Sequence, residues 1–375
     1  MSASRYDFLA NTLTFHVLRN KLLYFFSSIT LCSTAFAADP IADSTAKFLA
    51  GLPVRDTPLE SYVNVAGWTN HATDLDRAWQ QLEQRQLSKI RGWAPEALGA
   101  AYQDQGPMYY MFSGPDFLYA NVFFPNASTY ILCGVEPVGP IPDVTKVPHP
   151  ALASALANLR KSLDSVLSFS FFITKNMKVD LRQQQLTGTL PVLYVFLARA
   201  GCTIDSVELV ALDKTGAFVP EGKGTTPGVK IMFTGPAGRP QTLYYFTTDL
   251  ADWALKTNPN FGKFCEQQGM GVSLLKAASY LMHSDNFSQV RGYLLTHSKV
   301  ILQEDSGIPY RYFAKNKWDI RFYGHYIGPI PRFLKHGQLD LAKDANASHP
   351  APLPFSFGYQ WKPSQSAIMI ATPKL

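Results

Sequence analysis

The sequence predicts a single mixed-sheet domain of the α/β or α+β class, with interleaved helices, after a cleaved signal peptide. Two observations support this fold class. Segments with helical periodicity alternate with short apolar segments typical of strands, and no internal repeat or low-complexity linker separates them. With 375 residues, the chain is also long enough to bury a sizeable core.

The start of the chain has the three parts of a secretory signal peptide. Residues 22–37 are mostly apolar, follow Arg19 and Lys21, and end in Ala-Phe-Ala at 35–37. We therefore expect cleavage after Ala37 and a periplasmic or extracellular protein. The alternative is an uncleaved N-terminal anchor, and the long polar start leaves the true start codon open. No later segment approaches the roughly 18 apolar residues of a membrane span, so no stable span is expected after cleavage.

Residues 38–70 are expected to form an irregular lead-in with one short helix near 46–51, and the globular domain is expected over 71–375. A first helix of that domain is expected to start at Thr73, which is a suitable N-cap. Residues 108–134 then show the order strand, Gly/Pro turn, short helix, strand, which predicts a compact β-α-β unit.

A proline-rich segment at 137–150 is a candidate boundary within the domain, because it holds five prolines. The leucines and valine of 152–167 recur at helical spacing, and 191–200 is a uniformly apolar segment that suits a buried helix. Two apolar segments around a Gly/Pro-rich turn, at 229–233 and 243–246, predict a hairpin. Further helices are expected at 273–283 and 287–298, and further strands at 300–303, 319–323, 355–361 and 368–371.

Composition and charge exclude several classes of protein. Only 17% of the residues are charged and 46% are hydrophobic, which excludes a disordered chain, and the frequent Gly and Pro exclude a coiled coil. The net charge of +6 falls to +4 without residues 1–37, which carry three basic residues and one acidic residue. The basic residues are spread along the chain, so a nucleic-acid partner is not expected.

The common catalytic motifs are absent from the sequence: there is no G-x-S-x-G, H-E-x-x-H, phosphate-binding loop or G-x-G-x-x-G. Acidic residues nevertheless follow several predicted strands. Ligands of open α/β sheets bind beyond the carboxyl ends of parallel strands, where such carboxylates would converge. Converging carboxylates serve as a general acid and base, or bind Mg²⁺ or Ca²⁺. The candidate catalytic residues are Asp116, Glu136, Asp249, Glu304 and Asp305, together with His325, which follows a later strand.

A structural explanation exists for the same acids, since turns and helix N-caps favour Asp and Ser. It applies best to Asp116 and Asp249, which stand at predicted helix starts, and less well to the adjacent acids at 304–305. Ser306 is a candidate nucleophile should a histidine lie beside it.

Aromatic residues crowd the segments 109–124 and 310–326, and we expect most of their rings to fill the core. Exposed rings would instead form a binding surface. Arginines interleave with the second cluster, and the candidate ligand-binding residues there are Arg311, Arg321 and Tyr323.

Three cysteines remain after cleavage, Cys133, Cys202 and Cys265, so one disulfide at most is possible. Their apolar surroundings favour buried thiols. The sequence as a whole predicts an exported protein that binds a small molecule or an exported protein partner. The alternative is an exported hydrolase with an acidic site at the carboxyl ends of strands, acting with or without a bound metal ion.

Overall fold

The computed structural model of the chain describes residues 39–65, 67–169, 186–277 and 279–374. The predicted signal peptide and its cleavage site lie outside the described residues. In those four ranges, no helix is both long and apolar enough to cross a membrane.

The fold is built on one mixed sheet of ten strands, which confirms the predicted fold class. In chain order, the strands are β1 (Pro107–Tyr110), β2 (Thr129–Gly134), β3 (Thr203–Leu212), β4 (Phe218–Val219), β5 (Thr226–Thr234), β6 (Pro240–Thr247), β7 (Gly271–Leu275), β8 (Ser298–Gln303), β9 (Trp318–Gly324) and β10 (Ala367–Pro373). Their order across the sheet is β4-β3-β5-β6-β2-β1-β7-β8-β10-β9. The central strands β6, β2, β1, β7 and β8 are parallel, and antiparallel strands flank them on both sides.

Helices cover both faces of this sheet. The α-helices of the described part are α1 (Pro40–Leu49), α2 (Trp68–Leu82), α3 (Ser88–Leu98), α4 (Phe117–Phe123), α5 (His149–Phe169), α6 (Leu190–Arg199), α7 (Asp252–Thr257), α8 (Asn260–Gln268), α9 (Ser288–His297) and α10 (Leu339–Ala347). Successive residues of a strand face opposite sides, so Tyr130 and Leu132 of β2 belong to one buried cluster and Ile131 and Cys133 to the other. Helices α1–α6 contribute to the first cluster, and α7–α10 contribute to the second.

Several predicted elements are confirmed. Strands β1 and β2 pair in parallel with α4 between them, and β5 pairs with β6 as the predicted hairpin. Strands on both sides of the proline-rich segment 137–150 pair within this one sheet. Most rings of the segment 109–124 are buried, as expected: Tyr109, Tyr110, Phe117, Tyr119, Phe123 and Phe124.

Two helix starts differ from the prediction. Helix α1 begins at Pro40, before the expected 46–51, because Asp39 accepts hydrogen bonds from the backbone N–H groups of Ile41 and Ala42 and Pro40 suits the first helical turn. Helix α2 begins at Trp68 rather than at Thr73.

The helix predicted at 273–283 is wrong. Residues Gly271–Leu275 form the central strand β7, and a 3₁₀ turn at Ser279–His283 follows it. All five residues of β7 are buried, because both faces of the sheet are covered. A strand of this kind lacks the apolar–polar alternation that distinguishes a strand from a helix in sequence.

The strand predicted at 355–361 is also wrong. Phe355 and Phe357 are buried in the first cluster, while the chain around them pairs with no strand. Their alternation reflects packing of an irregular segment over the core. Gly358, at φ 63°, then turns the chain.

On the two sides of the β1–β7 pair, the connections between the central strands run toward opposite edges of the sheet. Strand β1 continues through α4 to β2 on one side, whereas β7, its other neighbour, continues through α9 to β8 on the opposite side. Helix α4 packs in the first buried cluster and α9 in the second. The carboxyl ends of β1 and β7 are therefore a topological switch point, where open α/β sheets leave room for a ligand.

Candidate functional site

A cavity of about 120 Å³ opens at the carboxyl ends of β1, β2, β6 and β7. We call it the strand-end crevice. It is lined by residues of the segments 110–116, 133–136, 248–250 and 276–277, together with Leu281 and Phe287. Each segment directly follows, or begins at the end of, one of the four parallel strands. The crevice thus occupies the switch point between β1 and β7.

Three of the predicted carboxylates meet in the strand-end crevice. Asp116 follows β1, Glu136 follows β2 and Asp249 follows β6, and all three line it. Asp116 and Glu136 are buried, whereas Asp249 is exposed. These three strand-end acids therefore share one cavity lining.

Lys276 lies among these acids and was not predicted from the sequence. It is the first residue after β7, and its Nζ donates to Asp116 Oδ2 at 2.8 Å. The side chains of this pair are only 1% and 2% exposed. The same Nζ lies 3.2 Å from the ring centroid of Tyr119, a distance suited to a cation–π contact. Burial lowers the pKa of Lys276 to about 8, although the charges of Asp116 and Glu304 act in the opposite direction.

Asp116 has structural roles as well. Its Oδ1 accepts a hydrogen bond from the backbone N–H of Tyr119 at 3.2 Å and thereby caps α4. Its Oδ2 accepts a second hydrogen bond from the Tyr110 hydroxyl at 2.9 Å. Burial, and then the charge of Asp116, raise the pKa of Tyr110 well above its ordinary value, so this hydroxyl stays a donor. The structural and functional explanations of Asp116 are thus compatible.

Glu304 and Asp305 lie behind the crevice rather than in its lining. Glu304 Oε1 accepts from the backbone N–H of Ala277 at 2.8 Å and from the Ser306 hydroxyl. Asp305 Oδ2 accepts from the Tyr280 hydroxyl at 2.9 Å. Burial and the charge of Asp305 raise the pKa of Glu304 well above its ordinary value. Through its hydrogen bond with the backbone N–H of Ala277, the Glu304 carboxyl group supports the loop that carries Lys276.

Two residues of the crevice have an unusual backbone. Four non-glycine residues of the described part have positive φ, and two of them, Phe112 (φ 61°) and Ala277 (φ 51°), line the crevice. A side chain in the left-handed region costs of order 1 kcal/mol, and such strain clusters at functional sites. Both strained residues stand at the ends of the strands that form the switch point.

Gly134 allows close packing of the chain around Glu136. A Cβ on Gly134 would lie 3.0 Å from Gly114 Cα and 2.9 Å from the Tyr245 hydroxyl. That hydroxyl donates to the backbone carbonyl of Glu136 at 3.0 Å. The absence of a side chain at 134 therefore allows the ends of β2 and β6 to close around the crevice.

The other predicted site residues lie away from the strand-end crevice. His325 is exposed, and its backbone N–H donates to the carbonyl of Ser366 at 2.9 Å. Arg321 and Tyr323 are on the edge strand β9, with the Arg321 guanidinium 3.4 Å from the Tyr323 hydroxyl. Arg311 lies over the ring of Tyr312 at 5.0 Å. None of these four residues lines the crevice.

The donor set of the crevice does not fit a bound Mg²⁺ or Ca²⁺. Asp116 already accepts from Lys276, Tyr110 and the helix backbone, so its oxygens are occupied. Among the described residues, no three His, Cys, Asp or Glu side chains are grouped to hold a metal ion. Cys133, Cys202 and Cys265 are buried free thiols.

The chain is thus an α/β protein with a charged crevice at the switch point of its sheet. Comparison with protein-family models, with curated proteins and with solved structures found no match to this chain.

The Asp116–Lys276 pair makes a testable contribution to stability. Lys276→Met leaves the Asp116 carboxylate buried without its ammonium partner, so we expect the free energy of unfolding to fall by about 3–5 kcal/mol. Asp116→Asn with Lys276→Met keeps the cap and removes both charges, so it should recover part of the loss. Urea unfolding of the wild type, both single variants and the double variant measures the coupling.

Lys299→Met is the matched control for that measurement. Lys299 pairs with Asp104 at 2.7 Å, but its side chain is 44% exposed. Its loss should cost less than about 1 kcal/mol. Equal effects of the two substitutions would contradict the role assigned to the buried pair.

Proposed function

We propose that the protein binds a small ligand with a protonated amino group in the strand-end crevice. The observation that carries the proposal is that the carboxyl groups of Asp116, Glu136 and Asp249 and the ammonium group of Lys276 line one crevice at the switch point. Asp116 and Lys276 pair with each other, and the exposed carboxylate of Asp249 adds a negative charge to the lining. A cationic ligand complements such a lining, and an anionic ligand is disfavoured.

The rim of the crevice is apolar, which adds a second requirement for the ligand. Val135 and Leu281 are 40% and 48% exposed, and the rings of Phe112 and Phe287 pack edge to face with centroids 5.8 Å apart. Exposed aliphatic side chains beside a charged crevice suit a ligand that carries a hydrocarbon part next to its amine.

Propylamine is a suitable probe for this proposal, with 1-propanol as its neutral match. We expect propylamine to shift the backbone amide signals of residues 112–116 and 134–136 in NMR titrations, and 1-propanol to leave them unchanged. Glu136→Gln should weaken the binding about tenfold, because it replaces a buried carboxyl group of the lining. Asp249→Asn should weaken it about twofold to fivefold, because Asp249 is exposed.

Asp319→Asn is the control for the change in net charge. Asp319 is exposed like Asp249 but lies on the edge strand β9. It should leave the titration unaltered. Equal responses to amine and alcohol, or equal effects of Asp249→Asn and Asp319→Asn, would count against a cation-binding crevice.

A hydrolase is the second candidate, and one observation favours it. Lys276, with its pKa lowered to about 8, is a base poised near neutral pH among carboxyl groups in a crevice. In this mechanism the Lys276 amine takes a proton from a water molecule that adds to an ester carbonyl. The carbon–oxygen bond to the leaving group then breaks, and the ammonium returns the proton to the departing alcohol.

The hydrolase mechanism predicts a pH profile. Because the base must be unprotonated, hydrolysis of an aminoalkyl ester should rise with pH and level off above about 8. Lys276→Met should abolish it, while Lys299→Met should leave the rate unchanged. A rate that matches the uncatalysed hydrolysis at every pH would remove this candidate and leave the binding proposal standing.

We also propose that the protein acts outside the cytoplasm. The support is the apolar segment 22–37 with its small-x-small end, together with the basic residues Arg19 and Lys21 that precede it. Three buried free thiols are compatible with an oxidising compartment, because burial raises the pKa of Cys133 and Cys202 to about 12 and so suppresses their thiolates.

Export can be tested with the full chain in a bacterial host. We expect the exported protein to begin at Ala38, as read by mass spectrometry of its N-terminal peptide. Replacement of both alanines, Ala35→Leu with Ala37→Leu, should block this processing. An unprocessed protein that stays in the cytoplasmic fraction would refute the proposal.

A further inference from the structure

A second cavity lies beside the strand-end crevice, between the sheet and helices α7, α8 and α9. Its volume is about 380 Å³. Most of its inner wall is apolar and buried, formed by Met111, Leu250, Leu255, Phe261 and Val290. We call it the helix cavity. The proposed binding site for the amino group does not include this cavity.

Polar groups mark the outer part of the helix cavity. Lys263 Nζ pairs with Glu266 Oε2 at 2.8 Å, and both side chains are half exposed. Gln289 and His297 complete this outer part. The cavity therefore has an apolar interior and a polar, self-compensated entrance, which is typical of a site for an apolar group.

The two cavities share a wall. Leu250, the residue that follows Asp249, lines both of them. Directly after β1, Met111 lines the helix cavity and the next residue, Phe112, lines the crevice. The charged crevice and the apolar cavity therefore meet beside Leu250 at the ends of β1 and β6.

From this adjacency we infer that the ligand is an amphiphilic amine. Its amino group binds among the carboxylates of the strand-end crevice, and its hydrocarbon part passes Leu250 into the helix cavity. The inference rests on the proposed function and deepens it, because it assigns the chemical class of the whole ligand rather than that of its charged group alone.

The size of the helix cavity indicates the size of the hydrocarbon part. An apolar cavity of about 150 Å³ already accommodates benzene in a protein core. The helix cavity, at about 380 Å³, has room for a phenyl ring and a short alkyl linker. Each methylene group buried there should strengthen binding about fourfold, since it contributes roughly 0.8 kcal/mol.

A glycine of α8 provides a way to fill the helix cavity. Gly262 lines it, and a Cβ built at this position meets no heavy atom within 4 Å. Gly262→Leu should therefore occupy the space without a clash. Gly292 of α9 is the matched control, because it is also helical, its Cβ also meets nothing within 4 Å, and it lines neither cavity.

The test compares the dissociation constants of three probes by titration calorimetry or NMR. The probes are propylamine, 4-phenylbutylamine and neutral butylbenzene, each with the wild type, Gly262→Leu and Gly292→Leu. We expect 4-phenylbutylamine to bind the wild type at least about tenfold more tightly than propylamine. This gain should disappear in Gly262→Leu and persist in Gly292→Leu, while propylamine binds all three proteins equally.

The outcomes distinguish the amphiphilic amine from the simpler cation-binding crevice. If propylamine binds but 4-phenylbutylamine binds no better, the inference is overturned and the cation-binding crevice stands. If butylbenzene binds as tightly as 4-phenylbutylamine, and Glu136→Gln alters neither, the helix cavity is an independent apolar site and the inference is again overturned. If neither amine binds, both the inference and the proposed function fail.

Discussion

The ion pair between Asp116 and Lys276 is the interaction on which the rest of the site depends. A buried charge is tolerated only with a close partner and further hydrogen bonds, and each member of this pair is needed by the other. Asp116 also caps α4 and accepts from Tyr110, while Lys276 packs on the ring of Tyr119. One contact therefore connects the start of a helix on the first face with the end of β7.

The surroundings of the pair hold it in a partly strained arrangement. Phe112 and Ala277, both in the left-handed region, flank it on the two strands of the switch point. Glu304 accepts a hydrogen bond from the backbone N–H of Ala277 and keeps that turn in place. Rigid strands and a supporting hydrogen-bond network thus present charged groups toward a small crevice, which is the preorganisation that ligand binding requires.

The sequence contained enough information for the mixed sheet, for the β-α-β unit and for three acids of the crevice, because Asp116, Glu136 and Asp249 all follow strands that prove to be parallel neighbours. Lys276 was missed because a doubly buried strand resembles a helix in sequence. With Gly271–Leu275 read as a strand, a lysine at its end would have been the signal. His325 and Arg321 could not be placed, since only the order of strands across the sheet shows that β9 is an antiparallel edge.

The opposite directions of the connections at the switch point also affect how firmly β1 and β7 are joined. No connection crosses directly from β1 to β7, and their ladder registers only Met108 with Val272 and Tyr109 with Ser273. The ladders on either side are longer, with four registered pairs between β1 and β2 and five between β7 and β8. Among the ladders between the parallel central strands, the one between β1 and β7 therefore has the fewest registered residue pairs. The ion pair between Lys276 and Asp116 adds a side-chain link between the segments that follow these two strands.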